Sequence, residues 1–242
     1  GLSAAPLVMG DLLILQAGVR NGGSVLGLDK HTGDEVWRAL DDPVNYAAPI
    51  RIAQGGQGIA VVWTGDRLAG ISPRNGQLLW DVPFRRERSV IGISTPVYHD
   101  GRIFVSSFFN GAMLVEVDPN RPSASKAWHR VGKNERETDA LHCCISTPVM
   151  MGGHIYGVDS YGELRCLQIA TGDRVWEEST AVRSARWANI HMVQNGEITY
   201  MFNEQGELIT ARLSPGGYRE IGRMSLIEPT RAQLNRSGEG VA

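Results

Sequence analysis

Short runs of apolar and β-branched residues, broken by Asp-Gly, Asn-Gly and Gly-Gly steps, make up most of this chain. Pro96-Val97-Tyr98 leads to the turn His99-Asp100-Gly101, then the run 102–107, the turn Asn110-Gly111 and the run 112–118. The same order recurs as Gly152-Gly153, 154–158, Tyr161-Gly162 and 163–167. It recurs again as 188–193, Asn195-Gly196, 197–202, Gln205-Gly206 and 207–213. Asx-Gly pairs between β-rich runs predict hairpins, because glycine supplies the positive φ that tight primed turns require. No stretch of helical period competes with these strands.

The hairpins belong to a larger period. Trp37, Trp80, Trp128 and Trp176 lie 43, 48 and 48 residues apart, and each closes one short pattern. Leu28-Asp29-Lys30-His31-Thr32-Gly33 leads to Trp37, Ile71-Ser72-Pro73-Arg74-Asn75-Gly76 to Trp80, and Leu167-Gln168-Ile169-Ala170-Thr171-Gly172 to Trp176. A worn copy runs from Val117-Asp118 to Trp128. A small-residue–proline step stands upstream of each, at Pro6, Pro49, Pro96 and Pro148, 28 to 32 residues before its tryptophan. Residues 93–97 and 145–149 are the same pentapeptide, Ile-Ser-Thr-Pro-Val. A fifth, divergent unit follows, with Glu220 or Ile221 where tryptophan stood. Four strands in roughly 45 residues is the size of one β-propeller blade. Such a sheet, apolar on both faces, must be stacked on others. Trp37, Trp80, Trp128 and Trp176 are therefore read as plates between blades.

Composition narrows the function classes. Lys+Arg 24 against Asp+Glu 26 leaves a formal charge of −2, which removes the main electrostatic reason to expect nucleic acid as partner. Arg85, Arg86 and Arg88 read as a solvated loop. No apolar run approaches the roughly 20 residues that span a bilayer. The sequence opens at Gly1-Leu2-Ser3 inside a strand pattern, so an export signal is expected upstream.

The pattern Gly-x-Leu-x-x-Leu-Asp-x-x-Thr-Gly-x-x-x-Trp resembles the repeat of pyrroloquinoline-quinone (PQQ)-like β-propellers. That group includes quinoprotein dehydrogenases, the assembly lipoprotein BamB and many exported bacterial proteins. Unit two departs from it with Ser72 and Asn75, and unit three replaces the Thr-Gly turn by residues 119–125. The resemblance implies one all-β domain over 1–242, with four-stranded antiparallel blades at about 3–40, 41–84, 91–131, 141–180 and 186–225. Residues 226–242 form the start of a further unit or a tail. Members usually close with seven or eight blades, so a partial arc completed by missing blades of the same chain is expected. A closed five-blade ring is the alternative.

The same blade serves enzymes and scaffolds, so function must come from sites. In the resembled dehydrogenases an adjacent Cys-Cys pair forms a vicinal disulfide over the quinone, which makes His142-Cys143-Cys144 the most suggestive local feature. The Ca²⁺-binding oxygen cluster and catalytic aspartate that PQQ chemistry also needs are not assembled by any motif here. Buried thiols are the first expectation for Cys143 and Cys144, and packing for Cys166. A zinc site on His142, Cys143, Cys144 and Cys166 has poor spacing, and no metal or catalytic residue is assigned. Nothing places His99, His129, His154 or His191 beside a serine or cysteine nucleophile. Loops on a rigid scaffold usually carry function. The binding-rim candidates are therefore the residues leading into successive blades: Asn45, Tyr46, Ser94, Thr95, His142, Cys143, Cys144, Ser146, Arg186, Trp187 and Asn189. Trp187 is the aromatic that breaks the period. The expectation is an exported, non-catalytic binding or assembly scaffold for a protein or small molecule, without a cofactor. A quinoprotein oxidoreductase with PQQ and Ca²⁺ near Cys143-Cys144 is the alternative, and a sensor domain joined to a kinase a third.

Overall fold

The computed structural model describes residues 4–18, 23–84, 88, 89 and 91–229. The opening Gly1-Leu2-Ser3, Arg85 and Arg86 of the basic triplet, and the tail 231–242 lie outside the described residues. Every described element is a β-strand, and the twenty strands form five four-stranded antiparallel sheets, each meandering in chain order. The chain forms two compact units, residues 1–131 and 132–242.

Unit 1 holds three sheets. The first comprises β1 (Leu7–Met9), β2 (Leu12–Gln16), β3 (Val25–Asp29) and β4 (Glu35–Ala39). The second comprises β5 (Ile50–Gln54), β6 (Gln57–Trp63), β7 (Arg67–Ile71) and β8 (Leu78–Pro83). The third comprises β9 (Val97–His99), β10 (Arg102–Ser107), β11 (Gly111–Val117) and β12 (Ala124–Arg130). Unit 2 holds β13 (Val149–Met151), β14 (His154–Val158), β15 (Leu164–Gln168) and β16 (Arg174–Glu178), then β17 (Ile190–Asn195), β18 (Ile198–Asn203), β19 (Glu207–Ser214) and β20 (Gly217–Ser225).

Because successive side chains point to opposite faces, a sheet between two neighbours must be apolar on both. In β6, Ala60 and Val62 join a core with Ile14, Val25 and Trp37 of the first sheet. Ile59, Val61 and Trp63 join one with Ile103, Val105, Met113 and Val115 of the third. In unit 2, Tyr156, Val158, Leu164 and Cys166 pack with Ile190, Met201, Ile209 and Ala211.

The repeated motif is a turn with its own hydrogen bonds. Asp29 Oδ1 accepts the N–H groups of His31 (2.8 Å) and Thr32 (3.0 Å), and the Gly33 N–H closes the turn on Asp29 O at 2.8 Å. Thr32 Oγ1 accepts from Asp34 N–H at 3.1 Å, and Asn75 Oδ1 does the same for Gln77 at 3.2 Å, so asparagine there keeps the turn. Glycine closes it because its φ is +80° at Gly33, +72° at Gly76 and +75° at Gly172.

The ladder between the third and fourth strands shifts register at one equivalent place in all five sheets. The residue after that bulge is Trp37, Trp80, Trp128 or Trp176, paired with Gly27, Gly70, Leu114 or Cys166. In the fifth sheet the pair is Thr210 and Gly222, so Gly222 holds the tryptophan position and the expectation of Glu220 or Ile221 there is corrected. A one-residue bulge is invisible to linear spacing.

Candidate functional site

Sheet-to-sheet contacts hold the loops in place. Trp37 is 7% exposed and its Nε1–H donates to Pro73 O, in the turn of the next sheet, at 2.8 Å. A Cβ on Gly76 would stand 2.7 Å from the Trp37 ring, and one on Gly27 only 2.2 Å. The indole is thus clamped between a glycine of its own sheet and a glycine of its neighbour. Trp176 repeats the link by donating Nε1–H to Ser214 O at 2.8 Å. Between the second and third sheets Gln54 intervenes. Its Oε1 accepts from Trp80 Nε1–H at 2.8 Å, and its Nε2 reaches the carbonyls of Asp118, Arg121 and Ser123 at 3.0, 3.0 and 2.7 Å. That extra reach accommodates the altered turn at 119–125. Trp128 meets Phe104 of its own sheet with the rings tilted by 60° and the centroids 6.0 Å apart. Burying an indole plate of ~150–250 Å² is worth about 4–6 kcal/mol at ~25 cal/mol per Å².

In unit 1 the candidate Asn45 is buried and serves the loop. Its Oδ1 accepts the N–H of Gly92 at 2.8 Å, its own N–H reaches Gln16 Oε1 at 3.2 Å, and Tyr46 N–H donates to Gly92 O at 3.1 Å. Tyr46 is exposed. Ser94 is turned inward, with Oγ donating to Ser106 O at 3.0 Å, while Thr95 is half-buried.

In unit 2 the candidates fall into two groups. His142, Cys143, Cys144 and Ser146 are buried. His142 N–H donates to Asp159 Oδ1 at 2.6 Å and its Nε2 accepts from Gly132 N–H at 3.3 Å. Asp159 also receives Thr138 Oγ1 at 2.6 Å and Arg165 Nη1 at 2.8 Å, and Arg165 donates Nε to Glu177 at 2.7 Å. This buried ionic network fixes the loop that carries the cysteines. All three cysteines are thiols, and burial pushes that of Cys144 up to about 11, so it is not a thiolate nucleophile at neutral pH.

In the second group Arg186 and Trp187 are exposed and Asn189 is half-buried. Trp187 has φ +69°, a conformation rare for a bulky residue, and its ring lies under the Arg186 guanidinium at 4.7 Å. Its N–H donates to Ser160 O at 2.9 Å and its carbonyl accepts from Asn189 Nδ2. Asn189 Oδ1 accepts from Ile145 N–H (3.1 Å) and Ser146 Oγ (3.2 Å), joining the two loops. Glu135, missed by sequence reasoning, receives Tyr161 Oη at 2.6 Å and Arg186 Nη2 at 2.7 Å, and these donors hold its carboxyl below the usual range. Arg136 covers the Tyr161 ring at 4.3 Å. The only sequence signal for Glu135 is that 132–140 falls between two repeats.

These features define a repeat protein of the β-propeller fold class, with its loops fixed by internal hydrogen bonds. The family model described as outer membrane protein assembly factor BamB matches residues 1–178, and the chain belongs to that family. The chain resembles BamB from Moraxella catarrhalis (TM-score 0.60, 16% identity), covering 91% of this chain and 63% of that one. It also resembles the quinohemoprotein alcohol dehydrogenase of Comamonas testosteroni (TM-score 0.56, 12% identity), covering 100% of this chain and 45% of that one. In sequence it is 23% identical over 244 residues to the serine/threonine-protein kinase AfsK of Streptomyces griseus, covering 91% of this chain and 28% of the kinase. The chain thus spans less than two thirds of each of these relatives.

The residues around Cys143 do not fit a quinone–Ca²⁺ centre. The two cysteines are buried thiols within a hydrogen-bonded loop, and Asp159, the nearby buried carboxylate, has its oxygens engaged by Arg165, Thr138 and His142. Among the described residues no three His, Cys, Asp or Glu side chains converge on a common point. No described helix is long and apolar enough to cross a membrane.

Proposed function

We propose that this protein is an exported, non-catalytic binding scaffold, and that Tyr161, Arg186, Trp187 and Asn189 of unit 2 dock a protein partner. The observation that carries the reading is Trp187, a large aromatic 39% exposed, with a left-handed backbone and contacts to Ser160, Asn189 and Arg186. Rigid exposed Trp, Tyr and Arg side chains are the commonest binding anchors, because little freedom is lost when they are covered. Membership of a family described by outer membrane protein assembly supports a protein partner and an export route. The likeness to AfsK supports a second reading, in which the same surface belongs to a ligand-sensing module of a larger signalling protein.

Two measurements test the proposal. A photo-crosslinking residue in place of Trp187 gives a discrete protein adduct in cells, and one at exposed Val36 gives none. Purified protein with PQQ and Ca²⁺ shows neither bound-quinone absorbance nor dye-linked alcohol or sugar oxidation. A quinone complex with turnover, or equal crosslinking at both positions, contradicts it.

A further inference from the structure

We propose that the outer face of the first sheet docks a further tryptophan-bearing sheet of the same repeat. The incoming indole sits over Gly33 and donates its Nε1–H to Lys30 O. This face is the one turned away from the second sheet. Ile14, Val25 and Trp37 point toward the second sheet, so alternation places Val8, Leu13, Leu15, Leu26 and Leu28 on the opposite side.

Register shows what such a face is built to meet. Leu13 pairs with Leu28 and Leu15 with Leu26, as Ala60 pairs with Ile71 and Val62 with Ala69 in the second sheet. Those four second-sheet residues are 0% exposed and share one core with Trp37. Their leucine counterparts are only half-buried, and Val8 beside them is 57% exposed. The turn at 29–34 differs from that at 72–77 in the same way. A Cβ on Gly76 meets the Trp37 ring at 2.7 Å, whereas one on Gly33 meets nothing within 4 Å. Pro73 O accepts the Trp37 indole, whereas among the described residues nothing donates to its counterpart Lys30 O. The first sheet therefore carries every part of the acceptor half of the junction, apolar floor, glycine and carbonyl, open to solvent.

The same junctions define the occupant. End sheets of stacked repeats carry a polar outer face when nothing covers them, and a leucine row is the opposite. Each docked indole reaches forward, Trp37 into the turn of the second sheet and Trp176 into that of the fifth, at Ser214 O. The donor is accordingly a sheet standing ahead of the first in that order. The last sheet of a second copy does not qualify, because Gly222 holds the tryptophan position there. This docking face is independent of the one assigned to Trp187 in unit 2.

N-acetyl-tryptophanamide is the probe, followed by amide NMR shifts in the intact chain. The expected result is saturable shifts at Leu28, His31 and Gly33 and none at Gly76, where Trp37 already occupies the equivalent place. The derivative methylated on the indole nitrogen, which has no N–H to donate, binds about fivefold more weakly. Leu28→Lys, which puts a charge on the apolar floor, weakens the probe about tenfold or more while the second-sheet amides keep their positions. Trp37→Ala opens the seat at Gly76 and brings matching shifts there, which calibrates the response at Gly33. No shift at Gly33, equal affinity of the methylated probe, or unchanged binding by Leu28→Lys overturns the proposal. Self-association of the parent in sedimentation that Leu28→Lys abolishes also overturns it, since the face then belongs to a second copy.

Discussion

Replacing Gly27 by alanine sets two principles against each other. Gly27 lies in the interior of β3 with an ordinary strand φ, where alanine is worth roughly 0.5–1 kcal/mol more than glycine because the unfolded chain has less freedom to lose. The packing points the other way, since a Cβ would stand 2.2 Å from Cε2 and 2.6 Å from Cζ2 of Trp37. Those atoms belong to the benzene ring of an indole that also donates to Pro73 O and abuts Gly76, so it cannot swing away cheaply. Overpacking of this kind costs about 1–3 kcal/mol, and ejecting the indole approaches the ~3–5 kcal/mol of a buried tryptophan lost. The net prediction is destabilisation by about 2–4 kcal/mol. Gly222 is the internal control: it holds the tryptophan position of its sheet but has open space around a Cβ, so Gly222→Ala is neutral or slightly stabilising. Urea unfolding followed by fluorescence measures both. A double mutant with Trp37→Leu should recover much of the loss, since the two residues share one space. Gly27→Ala as stable as the parent would refute the clamp.

Other predictions follow from single contacts. Gln54→Ala leaves Trp80 Nε1 and the carbonyls of the 118–123 turn without their link, lowering stability by about 1–3 kcal/mol and raising amide exchange in that turn. Glu135 has a depressed carboxyl, so its contribution is present above the ordinary glutamate range and is lost as pH falls through the lower folded value. Acid titration of the Tyr161 ring signals should show that midpoint below the usual range, and Glu135→Gln should remove it. Asn189→Ala cuts the link to Ile145 and Ser146, so crosslinking from position 187 drops while the core of unit 2 melts within a few degrees of the parent. The thiol of Cys144, raised to about 11, should react slowly with alkylating reagents at pH 7 until the unit unfolds.

The fold was legible because its signals are local and repeated. The turn 29–34 declares itself through an Asx contact, a threonine and a glycine of positive φ, and each recurs at the same spacing. The tryptophans declare themselves by period. What was hidden depends on register or on long-range partners. The place of Gly222 needed the bulge between Thr210 and Ala211. Gln54 and Glu135 acquire roles only through atoms 26 to 69 residues away. The rim candidates divided for the same reason: linear spacing cannot tell buried His142 from exposed Trp187, because both stand just ahead of a strand.

The most direct test of the account is hydrogen exchange at the indole Nε1–H of Trp37 and Trp80, assigned by Trp→Phe replacement. Both groups should exchange only through unfolding of unit 1, as slowly as the amides of β6. Exchange at the rate of a solvent-exposed indole, with those amides still protected, would contradict it.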